Sequence, residues 1–199
     1  MNLSAVILAG GKSSRMGCDK AFLEFEGKTL LERQITLARA AGAGEIFIAG
    51  RSGTEYAGFD CLILHDRFQN AGPLAGIERA LASASTSHLL VLAVDLPGLQ
   101  LNFLRRLLSA CRENFGAIPR VGSQIEPLAA IYPKITQPLA EKLLRDRIHR
   151  VTSFAGHCVE SNLAKFVASS QNEQELFANW NSPGDVPVPV EKENSSATS

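Results

Sequence analysis

Several things are scarce in this 199-residue chain, and each scarcity excludes something. Its four cysteines, Cys18, Cys61, Cys111 and Cys158, lie far apart and form no C-x-x-C pair. That argues against a zinc framework or a dithiol redox motif. They read as free thiols in a reducing cytoplasm. Cys18 stands apart only because it lies in a cationic loop, where an exposed thiolate would be favoured. Neither charge sign is in excess, with Lys plus Arg and Asp plus Glu at 20 each. This argues against broad binding to nucleic acid or to a membrane surface. No apolar run approaches the roughly 20 residues of a membrane span. No basic lead or cleavage site precedes the first apolar run, so no signal peptide is expected and the chain reads as cytoplasmic. There are no internal repeats and no interdomain linker. The hydrophobic share of 45% is ordinary for a soluble globular protein. The length suits one domain, placed at residues 1–185, with a disordered tail at 186–199 rich in Pro, Glu, Lys, Ser and Thr.

What is present begins with an apolar run, Ala5-Val6-Ile7-Leu8, that reads as a buried strand. It opens into Ala9-Gly10-Gly11-Lys12-Ser13-Ser14-Arg15-Met16-Gly17-Cys18-Asp19-Lys20. Adjacent glycines free the backbone to turn and let a ligand come close. Lys12, Arg15 and Lys20 add positive charge. A strand opening into such a loop points to a phosphate site lined by backbone N–H groups. Two familiar phosphate motifs fail: no Gly-Lys-Ser/Thr follows Gly17 at P-loop spacing, and no Gly-x-Gly-x-x-Gly occurs. The plainer reading is a tight turn with solvated basic residues.

Strand and helix signals then alternate. Ala21–Glu26 reads as a short extended stretch broken by Gly27. Thr29 and Glu32 form a capping box for a helix running to Gly42. Glu45–Ala49 and Cys61–Leu64 read as strands, the latter followed by Asp66. Pro73 fits the first turn of a helix that follows Gly72. Leu89–Val94 is the most apolar strand and ends in Asp95-Leu96-Pro97, and a helix follows from about Asn102 to Cys111. This alternation implies a parallel sheet with crossover helices, an α/β architecture. Ligands in such sheets bind outside the strands' carboxyl ends, which is where Gly10, Gly11, Asp66 and Asp95 fall. Asp95 alone would read as a turn or cap residue.

The second half is less regular. Ala117–Val121 and Pro127–Tyr132 look like strands, with Gly122-Ser123-Gln124 between them as a hairpin or an excursion near the site. Leu139–Arg147 reads as an amphipathic helix. Arg145, Arg147, His149 and Arg150 form a basic cluster, read either as a solvated helix end or as an anion contact for a second substrate. Near the end, Asn179 and Asn181 bracket Trp180, the only tryptophan, whose plainer role is to anchor the last helix.

The loop Leu-Ala-Gly-Gly-x-Ser-x-Arg-Met-Gly-x-Asp-Lys resembles the signature of the molybdenum cofactor guanylyltransferases. Further likeness lies in Gly72-Pro73-Leu74-Ala75-Gly76, Val94-Asp95-Leu96-Pro97, Glu126–Tyr132 and Phe177–Pro183. Together these cover about residues 5–185, with Arg145–Phe166 matching loosely. The resemblance implies a Rossmann-like, glycosyltransferase-A-type fold: a three-layer sandwich with a mostly parallel central sheet. It implies a nucleotide pocket formed by Leu8, Ala9, Gly10 and Gly11, with Lys20 on phosphate and Asp66 also on the nucleotide. Asp95 would bind Mg²⁺ and the nucleotide. Gly72, Pro73, Gly76, Asn179 and Asn181 would face a pterin. One departure stands out. The family often carries a nucleotide-contacting asparagine near the end of the second strand, where this chain reads Ile48-Ala49-Gly50-Arg51.

The implied reaction joins GMP from GTP to the terminal phosphate of Mo-molybdopterin and releases pyrophosphate, with Arg15, Lys20 and Asp95 as the catalytic set. The attacking oxygen is already anionic, so positioning and charge neutralisation carry the chemistry. A monomer is expected, with transient contact to molybdopterin-synthesis proteins and target molybdoenzymes. Three rivals remain: a cytidylyltransferase for the same pterin, a sugar-phosphate nucleotidyltransferase, and a nucleotide-binding regulatory or carrier module. In the resemblance Leu-Ala-Gly-Gly goes with GTP and Leu-Ala-Ala-Gly with CTP, so Gly10 favours guanine. Retention of Arg15, Lys20 and Asp95 favours an enzyme.

Overall fold

The computed structural model describes residues 2–10, 20–50, 54, 56 and 58–180. The expectations for Gly11, Arg15, Cys18, Asn181 and the tail therefore lie outside the described residues. The first strand, β1 (Leu3–Leu8), is buried along its whole length. Lys20–Phe22 forms a 3-10 turn, followed by a hairpin of β2 (Glu24–Phe25) and β3 (Lys28–Thr29). The extended stretch expected at Ala21–Glu26 is thus divided. Glu26 and Gly27 both take positive φ, 50° and 72°. Two left-handed residues make the tight turn whose twist suits a hairpin.

Helix α1 (Leu30–Ala40) opens on the expected capping box. Thr29 Oγ1 accepts from the Glu32 N–H at 3.1 Å, and Glu32 Oε2 accepts from the Thr29 N–H at 2.7 Å. There follow β4 (Ala43–Ala49), β5 (Leu62–Leu64), α2 (Pro73–Ser83), β6 (His88–Ala93) and α3 (Leu101–Ala110). The second half runs β7 (Gly116–Val121), β8 (Gln124–Ile125), β9 (Ala129–Pro133), α4 (Gln137–Arg145), α5 (Val151–Glu160) and β10 (Ala164–Ser169). A 3-10 stretch, Gln171–Phe177, comes last. The region that resembled the family loosely holds α5 and β10. Its helix signal is present in Val151, Phe154, Ala155 and Cys158, at i, i+3, i+4 and i+7.

The main sheet has the order β10-β7-β9-β6-β1-β4-β5, with β8 paired to β7. Strands β6, β1, β4 and β5 are mutually parallel, as are β7 and β10. Strand β9 runs antiparallel to both of its neighbours. Successive β1 residues feed opposite faces. Ala5 and Ile7 pack with Leu30, Leu31 and Ile35 of α1 and Phe103 and Leu107 of α3. Val6 and Leu8 pack with Leu74, Ile77 and Leu81 of α2 and with Leu143 and Phe154 of α4 and α5. A sheet covered on both faces needs strands that are apolar throughout, hence the unbroken hydrophobic runs. The result is the expected three-layer α/β sandwich with a mostly parallel sheet. Among the described residues no helix is long and apolar enough to cross a membrane.

Among the described residues Cys61, Cys111 and Cys158 are free thiols, and burial pushes the Cys111 and Cys158 thiols up to about 12.

Candidate active site

The carboxyl ends of β1, β4, β5 and β6 meet at one edge of the sheet. Ala9 and Gly10 N–H groups both donate to Ala49 O, at 2.9 and 3.2 Å, and Val94 N–H donates to Leu8 O at 3.2 Å. These bonds lock the start of the glycine loop to the strand ends on either side. Among the described residues, a Cβ at Gly10 would meet Gly50 and Ala49 backbone atoms at 3.7–3.9 Å, ordinary contact distances. The strand ends beside Gly10 therefore tolerate a side chain there.

Asp95 follows β6 on the same edge. Burial pushes its carboxyl above the ordinary aspartate range, and the positive charge of Lys20 offsets part of that rise. The backbone carbonyl of Asp95 accepts from the Trp180 N–H at 3.0 Å. Asp66 lies over the first turn of α2, its Oδ1 3.8 Å from where a Cβ on Gly76 would stand. Its carboxyl is also raised, first by lost hydration and then by repulsion from Glu78, with His65 opposing. Gly72 precedes α2 with φ 69° and ψ −160°, a conformation open to glycine. Gly76 is buried, and a Cβ there would press on Ala49 Cβ and Leu8 Cδ2 at 2.8 and 3.0 Å. Close packing of α2 against β1 and β4 already accounts for that glycine.

Two clefts that share Glu126 and Asn179 open at this edge, the first beside Asp95. The first, about 410 Å³, is lined by Pro73, Asp95, Glu126, Arg150, Thr152 and Asn179 among others. The second, about 490 Å³, is lined by Gln124, Glu126, Gln174, Phe177 and Asn179 among others. Glu126 and Asn179 belong to both. The described residues hold no group of three His, Cys, Asp or Glu side chains that could bind a metal. A single carboxylate raised by burial is still stabilised by a nearby cation. Magnesium commonly takes one or two carboxylates and completes its shell with phosphate oxygens and water. Asp95 fits that ligand chemistry.

A family model for the MobA-like NTP transferase domain matches residues 5–159. The chain belongs to the MobA-like NTP transferase family. It is 39% identical to a probable molybdenum cofactor guanylyltransferase of Opitutus terrae, over 92% of each chain. It is 35% identical to one of Carboxydothermus hydrogenoformans, over 92% of this chain and 93% of that one. Among solved structures, the molybdopterin-guanine dinucleotide biosynthesis protein A of Archaeoglobus fulgidus superposes with a TM-score of 0.68. At 21% identity, with 92% and 94% of the two chains covered, that last likeness bears on the fold.

In this MobA-like chain Gly10, Lys20, Asp66, Gly72, Pro73, Asp95 and Asn179 converge on one edge of the sheet or its clefts. The basic cluster does not stay together. Arg145 pairs with Glu141, Arg147 sits in a left-handed turn with φ 59°, and His149 and Arg150 line the first cleft. Trp180 packs edge-on against Phe25 of the hairpin, ring centres 4.8 Å apart, rather than anchoring a helix. The place near the end of β4 where an asparagine was looked for is filled differently. A Cβ at Gly50 would overlap the ring of Tyr56, which is 2% exposed and stacks on Phe22. Sequence reasoning missed that ring, and it missed the clefts' borders at Thr152 and Gln174, whereas Gln124 borders the second cleft as an excursion near the site would place it.

Proposed function

We propose that this MobA-like nucleotidyltransferase transfers GMP from GTP to the terminal phosphate of molybdopterin, releasing pyrophosphate. The observation that carries the reading is the placing of Asp95 in one cleft with Pro73, Arg150 and Asn179. Two substrates can meet at that carboxylate from opposite sides. The kinship with chains named guanylyltransferases supports the chemistry, and Gly10 supports guanine.

GTP enters over the β1 and β5 ends. Backbone groups around Leu8, Ala9 and Gly10 take the nucleoside, with Gly11 and Arg15 of the following loop, and Asp66 contacts the nucleotide. Lys20 holds phosphate, its positive charge near enough to Asp95 to offset part of the rise that burial causes there. Pro73, Gly72, Asn179 and Asn181 take the pterin side. The attacking phosphate oxygen forms a bond to the α-phosphorus while the bond to pyrophosphate breaks, so no strong base is required. Mg²⁺, when bound at Asp95, supplies charge neutralisation at the phosphates. Arg15 and Lys20 stabilise the charge that builds on the leaving pyrophosphate.

The first test is thermal stability with Mg²⁺ and each of GTP, CTP, ATP and UTP. A ligand at about 100 times its dissociation constant adds roughly 2.7 kcal/mol, on the order of 5–10 °C for a chain this size. GTP alone is expected to raise the melting temperature. A shift with CTP alone would overturn the guanine assignment. Turnover of GTP with molybdopterin separates an enzyme from a carrier module.

A further inference from the structure

Glu126 is an anomaly in a site built for two anions. It stands just ahead of β9, and its backbone N–H donates to Pro119 O at 2.9 Å. Among the described residues its carboxylate has no hydrogen-bond or ion partner. It borders both clefts, whereas Asp95 borders only the first. The two clefts differ in chemistry. The first carries His149 and Arg150, suited to phosphate. The second carries the amides of Gln124, Gln174 and Asn179 together with Glu175 and Phe177, suited to a polar heterocycle rich in hydrogen-bond donors. Burial raises the Glu126 carboxyl with no cation opposing it. An acceptor-only group that borders both clefts can take paired donors from a ligand.

We infer that the second cleft receives the pterin ring and that Glu126 accepts its two parallel donors, the 2-amino and N3–H groups. This rests on the pterin reading above. A planar pair of N–H donors matches the two oxygens of a carboxylate, as a guanidinium does. The ring's phosphate arm then lies toward Arg150 and Asp95 in the first cleft. Glu126 becomes the residue that distinguishes a pterin from a ring carrying oxygen at position 2.

The test uses the full chain with Mg²⁺ and GTP, and two fluorescent probes: 6-(phosphonooxymethyl)pterin and its 2-oxo counterpart, the lumazine. Affinities are read from fluorescence quenching for the native chain and for Glu126→Gln. Gln is isosteric, and a melting curve checks that the variant folds. The native chain is expected to bind the pterin at least tenfold tighter than the lumazine. Glu126→Gln should lose about tenfold on the pterin, discriminate less than threefold, and keep its GTP affinity within twofold. Equal binding of both rings by the native chain would overturn the inference and leave the pterin reading intact. A change in the Mg²⁺ dependence of GTP binding in Glu126→Gln would also overturn it, by making Glu126 a metal ligand. Failure of the native chain to bind the pterin, with GTP still bound, would overturn both readings.

Discussion

The two walls of the cleft are built on different plans. The proposed nucleotide wall comes from β1, β4, β5 and β6, all parallel, so its candidate residues follow their strands: Gly10 after β1, Asp66 after β5, Asp95 after β6. The opposite wall comes from β7, β8, β9 and the start of α5. Because β9 is antiparallel to β6, with Leu92 beside Ala129 and Ala93 N–H donating to Leu128 O at 2.9 Å, the residues ahead of β9 reach the site. Glu126 is there for that reason. The general rule for parallel sheets finds half of such a site, and its reversal at an inserted antiparallel strand finds the other half.

The largest expected effect tests Asp95 on the nucleotide wall. Asp95→Asn should lower turnover by about 10³-fold or more, since it removes the carboxylate proposed to hold the cation. Its stability should move the other way. Folding raises this carboxyl, so its stabilising contribution is complete below about pH 3.9 and is lost as pH rises through the folded value. Without ligands, Asp95→Asn should melt above the native chain at neutral pH, and the gap should close toward pH 4. Near-normal turnover would remove Asp95 from the chemistry.

Next comes the support beneath Asp66. Glu78 is fully buried and bonded to Arg67 and to Gln137 Nε2, the latter at 2.8 Å. Its Oε2 has no partner. Arg67→Ala leaves that carboxylate with one weak partner and should cost about 2–4 kcal/mol in chemical denaturation. An unchanged midpoint would mean that water enters and solvates Glu78.

Arg150→Ala tests the opposite wall alone. The loss of one charge-assisted bond, about 1.5–3 kcal/mol, should raise the KM for the pterin substrate roughly ten- to a hundredfold. GTP affinity should hold within twofold. A parallel loss of GTP affinity would merge the two walls into one site.

Gly10→Ala sharpens the nucleotide wall. Among the described residues the added Cβ meets ordinary contacts, so stability should stay within about 0.5 kcal/mol. GTP affinity should fall on the order of tenfold, about 1.4 kcal/mol, while CTP falls less. The smallest effect is expected at Arg145→Ala. Its pair with Glu141 is exposed and one turn apart, so about 0.5 kcal/mol or less should be lost and turnover unchanged.

The same comparison explains what could be read from the residues. On the nucleotide wall, local signals sufficed: the Thr29–Glu32 box, Pro73 at a helix start, and aspartates after apolar runs. On the other wall the signals were present but incomplete. The spacing of Val151, Phe154, Ala155 and Cys158 marks a helix, yet only the fold shows that Arg150 at its start faces Asp95 while Arg145 does not. Likewise nothing local tells that Tyr56 fills the space beside Gly50, because that contact depends on how the loop after β4 returns.

The contact of Trp180 with both Asp95 and Phe25 has a consequence for the order in which the protein is made. During synthesis the parallel strands emerge first and can collapse early. Both clefts gain Asn179, and the second gains Gln174 and Phe177, only when residues 174–180 have been made. The sheet edge that carries Gly10, Asp66 and Asp95 can therefore form before either cleft is complete. Trp180 closes the arrangement by packing on Phe25 of the first hairpin.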